Sequence, residues 1–136
     1  RLQKIMDEYA GGISVDYGYS EGELNLAKLH LKRLQDDLQT LYAQGSYELM
    51  HAHEVMDRVT VAEVLVAHML HRKETRWHCY QERLDHPERD DARWMVFVNS
   101  VRHSDGHVEM LERPVERATW EVVLPSLNDG AVIRHT

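Results

Sequence analysis

One stretch of the chain is apolar on nearly every side of a helix, and such a helix needs other protein around it. Between Val59 and Leu70 only Thr60, Glu63 and His68 interrupt a run of valine, leucine, alanine and methionine. The run leaves no wide polar face, which is typical of a helix covered on several sides. We predict one long helix over residues 47–76, roughly 45 Å in length at the helical rise per residue. We expect this chain to supply only some of its neighbours.

A second helix is predicted over residues 21–43. Ser20 and Glu23 have the spacing of a capping box, which marks a helix start. Gln44-Gly45-Ser46 is a connection so short that the long helix must return antiparallel, with Ser46 as its expected N-cap. We therefore expect the apolar seam of this helix to pack on the long helix, with a dimerisation zipper as the alternative. The seam has coiled-coil-like spacing and comprises Leu24, Ala27, Leu31, Leu34, Leu38 and Leu41.

The rest of the chain predicts shorter elements and gives the fold class. Residues 1–10 have helical spacing and end at a glycine pair, and Pro87 with its acidic neighbours reads as a single helical turn. Two β-rich runs, 94–103 and 108–115, flank Asp105-Gly106, which predicts a hairpin with a two-residue loop that pairs Val101 with Met110. We expect a mainly α fold, a spectrin-repeat-like three-helix bundle over 1–94. A hairpin extension over 95–115 and a weakly tethered tail over 116–136, with one short strand near 120–124, would follow it.

Composition excludes some classes of function. The chain has 136 residues, enough for one domain, and its net charge of -7 argues against a nucleic-acid surface. The single cysteine, Cys79, rules out an internal disulfide and fits a reducing compartment, so we expect a cytoplasmic protein without direct membrane insertion. Because the sequence opens on Arg1 already inside a helical pattern, we expect a piece of a longer protein.

The residues that could carry chemistry form no familiar site. Gly11-Gly12 follow a helix instead of opening one after a strand, so no phosphate-binding loop is expected. Cys79 lacks the surroundings that would activate a thiolate. His68 and His71 share a helix face, and with His51 they leave a small His-rich metal-binding bundle as an open alternative. We expect no catalytic, cofactor-binding or metal-ligating residue within this chain.

The order of residues after the long helix resembles a known family. The segment Arg72-Lys73-Glu74-Thr75-Arg76, followed by His78, Tyr80, Asp85, Pro87, Asp90-Asp91 and Trp94, is similar to the one that closes the C-terminal helical domain of the succinate dehydrogenase, fumarate reductase and aspartate oxidase flavoproteins. Thr75 stands where that family has serine, and Trp77 where it has glycine. This tryptophan, the triplet Asp85-His86-Pro87 and the opening residues 2–12 look more like the adenylylsulfate reductase alpha-subunit branch.

The resemblance implies a scaffold rather than a reaction centre. In these families the domain packs on the FAD-binding domain and helps to hold an iron-sulfur partner subunit, while FAD and substrate belong to the preceding domains. It implies a structural and docking role for Arg72, Glu74, Arg76, Asp90, Asp91 and Trp94. The fragment alone would hold no cofactor and would not be an enzyme, but its parent would be an FAD-dependent oxidoreductase of undetermined substrate. A free-standing helical interaction module, such as a homodimer, stays open as the alternative.

Overall fold

A computed structural model describes residues 1–76 and 80–115, and in these ranges the chain is mainly helical with a β-hairpin. Within them no helix is long and apolar enough to cross a bilayer. The expected tail and its short strand near 120–124 lie outside the described residues. The elements in chain order are α1 (Leu2–Tyr9), a 3-10 turn (Ile13–Val15), β1 (Gly18–Tyr19), α2 (Glu21–Leu38), α3 (Ser46–His71), β2 (Glu82–Arg83), α4 (Asp91–Trp94), β3 (Val96–Arg102) and β4 (Val108–Pro114).

The antiparallel pair α2 and α3 forms the core, as the leucine spacing predicts. Ser20 begins α2 with the predicted capping box: its hydroxyl accepts from the Glu23 amide, and its own amide donates to Glu23 Oε2 at 2.7 Å. The seam packs on α3 of the same chain, not on a partner zipper. Its buried members Leu24, Ala27, Leu31 and Leu34 lie in one cluster with Val59, Ala62, Val66 and Met69 of α3.

Both long helices are shorter than their periodicity predicts. α2 ends at Leu38 rather than near Ala43, and Leu41, the last member of the predicted seam, is 51% exposed. α3 begins after Gly45, which takes the N-cap position expected for Ser46. At 1.5 Å per residue α2 spans about 27 Å and α3 about 39 Å, so α3 projects roughly 12 Å beyond its partner.

The third helix is too short to complete a spectrin-like bundle. α1 has 8 residues, against 18 in α2 and 26 in α3. It lies antiparallel to the second half of α2, with Arg1 paired to Asp37 and the Tyr9 ring stacked on His30 at 5.3 Å between centroids. The mainly helical fold is confirmed, but the spectrin-repeat-like arrangement is not, because α1 cannot follow α2 along its full length.

Residues 13–22, which show neither helical nor strand periodicity, contain one short strand. β1 pairs in parallel with β2, Gly18 opposite Glu82 and Tyr19 opposite Arg83. The Tyr19 carbonyl accepts from the Leu84 amide at 2.8 Å. Two residues are too few to show an alternating pattern, so no sequence signal could identify this pairing. The pairing ties the start of α2 to the segment that follows α3, and we call this end of the molecule the base.

The β-hairpin is present, but its predicted register is wrong by one residue. Val101 lies opposite Glu109, not Met110, because the loop has three residues instead of two. The His103 amide donates to the His107 carbonyl at 2.8 Å, which closes the loop around Ser104, Asp105 and Gly106. Gly106 has φ +87, the left-handed position that a three-residue hairpin loop requires near its end.

Candidate functional site

A buried glutamate lies at the centre of the segment that carries the family resemblance. The Glu74 side chain has no exposed surface, and guanidinium groups contact both of its carboxylate oxygens. Arg72 Nη1 donates to Glu74 Oε1 at 2.6 Å, and Arg76 Nε donates to the same oxygen at 2.7 Å. Arg76 Nη2 donates to Oε2 at 3.0 Å, so Arg76 grips the carboxylate with two parallel bonds.

The same two arginines reach across to the segment around α4. Arg72 donates to the carbonyl oxygens of Trp94 and Val96, each at 2.9 Å. Arg76 Nη1 donates to Asp91 Oδ1 at 2.9 Å. The structure therefore brings the six predicted docking residues together in one cluster, which we call the Glu74 network: Arg72, Glu74, Arg76, Asp90, Asp91 and Trp94.

Asp90 and Asp91 take different parts in the Glu74 network. The Asp90 amide donates to Glu74 Oε2 at 3.0 Å, while its side chain caps α4 by accepting from the Arg93 amide. Asp91 accepts two bonds from Arg89, at 2.8 and 2.9 Å, as well as the one from Arg76. The Asp90 side chain thus caps α4, and the Asp91 side chain binds the arginines.

The electrostatics of the Glu74 network favour the ionised forms. Burial raises the pKa of Glu74, but hydrogen bonds from Arg76, the Asp90 amide and Arg72 outweigh it and hold the pKa below the ordinary value. The hydrogen bond to Glu74 in turn raises the pKa of Arg76. The Arg89 hydrogen bond lowers the pKa of Asp91. These groups therefore form a charged, hydrogen-bonded unit at neutral pH.

Trp94 closes one side of the network. It is 7% exposed, and the Arg93 and Arg72 guanidinium carbons lie 4.4 and 5.4 Å from its ring centroid. The His71 ring meets it edge-on at 5.7 Å. Cations over an indole face add attraction to the contact area that the ring buries. Trp94 therefore holds the end of α3 against the start of the hairpin.

Arg83, which the sequence does not single out, ends α3. Its side chain is fully buried, and its Nη1 donates to the carbonyl of Met69 at 2.6 Å and to that of Arg72. Its Nε donates to Asp85 Oδ1 at 3.1 Å. The last carbonyls of a helix need such donors, so Arg83 stabilises the end of α3 at His71, before the end predicted at residue 76. Nothing in its sequence position distinguishes it from a surface arginine.

Thr75 also has a role that the sequence does not reveal. It is 2% exposed, and its hydroxyl donates to the His86 carbonyl at 2.9 Å while accepting from the Arg83 amide at 2.9 Å. Both bonds use only the hydroxyl oxygen and its proton. The exchange of the family's serine for threonine is therefore compatible with the geometry at this position.

The histidines proposed for a metal site do not converge. His51 and His68 lie 17 positions apart in α3, roughly 25 Å along the helix axis. His51 lies beside Glu54, whereas His71 Nε2 lies 2.8 Å from Glu112 Oε1. One other group, Glu21, Asp85 and His86, has ligand atoms within 4.8 Å of one another. Arg83 and Lys73 already lie beside its carboxylates and oppose a bound cation.

Comparison with known proteins identifies the protein family to which the chain belongs. The family model described as "Fumarate reductase flavoprotein C-term" matches residues 1–126. The chain belongs to this flavoprotein C-terminal family, as its residue order after α3 predicts.

The relatives point to one branch of the family. The alpha subunit of adenylylsulfate reductase from Megalodesulfovibrio gigas is 32% identical over 100 residues, 74% of this chain and 15% of that protein. Two solved structures, an adenosine-5-phosphosulfate reductase in complex with sulfite and the adenylylsulfate reductase of Archaeoglobus fulgidus, each match at 44% identity with a TM-score of 0.83. Each match covers 86% of this chain and 18% of the length of the matched chain.

A more distant structure shares the fold. The quinol fumarate reductase of E. coli matches with a TM-score of 0.73 at 22% identity, over 92% of this chain and 22% of its own. The chain therefore spans about a fifth or less of the relatives that it matches.

Proposed function

We propose that this chain is the non-catalytic C-terminal helical domain of an FAD-dependent oxidoreductase of the adenylylsulfate reductase type. It packs on the flavin-binding domain of its own parent chain and contributes to the surface that holds an iron-sulfur partner subunit. The observation that carries the proposal is the Glu74 network. Its carboxylate and guanidinium groups bond to one another and to backbone carbonyls, which is the arrangement of a group that holds chain segments together rather than one that reacts with a substrate.

The glycine pair supports placing the flavin elsewhere in the parent. Gly11 has φ +70, and a Cβ there would come within 2.9 Å of the Tyr19 ring. A Cβ on Gly12 would come within 2.4 Å of the Asp7 backbone. Both glycines therefore serve the tight turn that ends α1, and they do not form the strand-to-helix loop that binds a dinucleotide phosphate. In this proposal FAD and substrate bind to the preceding domains.

The choice of branch rests on relative similarity. Identity is 44% to the structure described as bound to sulfite and 22% to the fumarate reductase. We therefore expect the purified full-length parent, with an artificial electron donor, to reduce adenylylsulfate and release sulfite. Reduction of fumarate with no activity on adenylylsulfate would contradict this assignment and would favour the other branch.

The docking role of the network is tested in the same full-length protein. Each arginine in it is partly exposed, Arg72 by 26% and Arg76 by 18% of the side chain. Arg76→Lys would keep the charge and lose the paired bonds to Glu74. We expect weaker retention of the iron-sulfur subunit on a size-exclusion column, with an unchanged flavin spectrum. Loss of flavin with an intact subunit complex would contradict a docking role.

A further inference from the structure

One face of the hairpin is apolar and exposed. Burial alternates along β3 and the first half of β4, so successive side chains point to opposite faces. Glu112 is on the inner face, where it contacts His71 of α3. Phe97, Val101 and Leu111 form the outward face and are 52%, 43% and 43% exposed. A two-stranded hairpin is marginally stable by itself, so cover on this face would stabilise it.

The side of β4 away from β3 is a free edge. The Val115 amide donates to the Met95 carbonyl at 3.1 Å, which makes the odd-numbered residues of β4 the ones that bond to β3. The even-numbered residues, among them Met110 and Glu112, therefore direct their backbone N–H and C=O groups outward. Within residues 1–76 and 80–115 no third strand pairs with this edge. Such an edge is a template for another strand.

The sequence that follows β4 has the order of a strand that fits this edge. Residues 119–124 lie beyond the described part of the chain and read Thr-Trp-Glu-Val-Val-Leu, with apolar residues at every second position and Pro125 after them. Residues 115–118 separate this run from β4, and a connection of that length joins antiparallel neighbours. The segment is therefore placed to turn back along β4.

We propose that residues 119–124 add a third, antiparallel strand to the hairpin along the free edge of β4. Val122 lies opposite Leu111 in this pairing, and Trp120 lies opposite Arg113. The apolar side chains of the added strand then extend the outward face and cover part of it. The proposal is independent of the proposed function, because it concerns contacts within this chain alone.

The charges of the hairpin favour this register. The Arg113 guanidinium carbon lies 5.4 Å from the Phe97 ring centroid, and Trp120 would offer it a second aromatic ring. Glu121 would lie opposite Glu112, which Arg93 already neutralises through two hydrogen bonds of 2.8 Å. A slip of one residue would turn Glu121 to the apolar outward face.

Disulfide formation tests the register in the 136-residue chain carrying Cys79→Ser. Leu111 and Val122 would form a non-hydrogen-bonded pair, the antiparallel position at which Cα atoms come closest. Leu111→Cys with Val122→Cys should therefore form an intramolecular disulfide in air, read by mass spectrometry of unreduced tryptic peptides. Leu111→Cys with Glu121→Cys is the matched control. Its second cysteine points to the other face, so we expect a rate slower by on the order of tenfold.

Amide hydrogen exchange gives a second measurement that needs no cysteine. Pairing should slow the exchange of the Met110 and Glu112 amides in the unmodified chain by about tenfold relative to Val123→Pro, which removes a donor from the added strand. The Leu111 amide bonds to β3 and should stay slow in both proteins, which shows that the hairpin itself is intact. Ser126→Pro, beyond the segment, should leave these rates unchanged.

Three results would overturn the proposal. The first is equal disulfide rates in the two cysteine pairs. The second is exchange of the Met110 and Glu112 amides in the unmodified chain as fast as in Val123→Pro. The third is disulfides that form only between two molecules, because a second copy would then supply the strand. Each of these results would leave the proposed function standing.

Discussion

Glu74 shows how one buried charge can organise a chain segment. Its carboxylate accepts from Arg72, from Arg76 and from the Asp90 amide, so the residues after α3 are tied to those before α4 through one side chain. A buried carboxylate is stable only with such partners, because removing it from water costs several kcal/mol. The order of residues identified this group as important, but only the structure shows that its first role is internal.

Glu74→Gln should destabilise the isolated chain by about 3 kcal/mol, because two arginines would lose the charge that compensates their burial. Urea unfolding followed by circular dichroism measures the change. Glu54→Gln is the matched control: this glutamate pairs with Arg58 on the surface and should cost less than about 0.5 kcal/mol. Similar losses in the two variants would contradict the central position of Glu74.

The pH dependence of Glu74 follows from the direction of its shift. Its folded pKa lies below the ordinary glutamate value of 4.5, so the network contributes stability above that pH. The contribution is lost as the pH falls through the lowered pKa. The difference in unfolding free energy between the wild type and Glu74→Gln should therefore shrink in acid. If this difference in unfolding free energy grew in acid, the pKa of Glu74 would be raised by folding and not lowered.

Arg83→Lys should destabilise the chain by about 2–3 kcal/mol although it keeps the charge. A lysine has a single nitrogen in place of the Nε that bonds to Asp85 and the Nη1 that bonds to the carbonyls of Met69 and Arg72, so it would leave some of these buried acceptors without a donor. Thermal unfolding measures the loss. Arg58→Lys, at an exposed surface pair, is the control and should be nearly neutral. A neutral Arg83→Lys would show that water can replace the guanidinium.

At the scale of elements, the sequence predicts which helices and strands exist better than where they end. The seam from Leu24 to Leu34 predicts α2 and its packing correctly, because burial of one helix face imposes its spacing on the sequence. The end of α3 depends on Arg83, a residue distant in sequence, which local periodicity cannot register. The hairpin register depends on loop length, and Asp105-Gly106 is compatible with loops of either two or three residues.

Gly106→Ala should weaken the hairpin by about 1 kcal/mol, because φ +87 places any side chain in a region that L residues rarely adopt. Amide hydrogen exchange of β3 and β4 reports the change. Gly22→Ala makes a useful contrast: this glycine lies in the first turn of α2, where a Cβ meets only Ser20 Oγ, at 3.8 Å, and alanine should stabilise. Destabilisation by both substitutions to the same degree would argue against a special role for the loop.

The hairpin should lose one of its ties to the end of α3 in acid, the contact between His71 and Glu112. Arg93 and His71 both bond to Glu112 of β4 and lower the pKa of that carboxyl to about 2. Since the folded pKa lies below the ordinary value of 4.5, this tether is complete above pH 4.5 and is lost as the pH falls towards 2. Amide exchange in β4 should therefore rise over this range, and Glu112→Gln should remove the step. Glu109→Gln, which alters only the pair with His103, should leave it in place.

At the scale of the whole molecule, the two ends of the helical pair differ in chemistry. The base is closed by buried polar groups that bond to one another, whereas at the opposite end α3 extends beyond α2 and exposes apolar side chains such as Met50 together with polar ones such as Glu48. The sequence indicates this difference, because α3 has apolar residues on several sides and the chain has too few other helices to cover them all. Which residues of α3 stay exposed could not be predicted, because that depends on α2 ending at Leu38 and not near Ala43.

The most direct test of the account is the flavin content of two proteins, the full-length parent and the 136-residue chain. If FAD binds to the preceding domains, as we propose, the parent should purify with stoichiometric flavin by visible absorption. The isolated chain should fold, by circular dichroism, without binding added FAD in isothermal titration calorimetry. Saturable, stoichiometric binding of FAD to the isolated chain would contradict the central claim that this domain is a scaffold beside the flavin site.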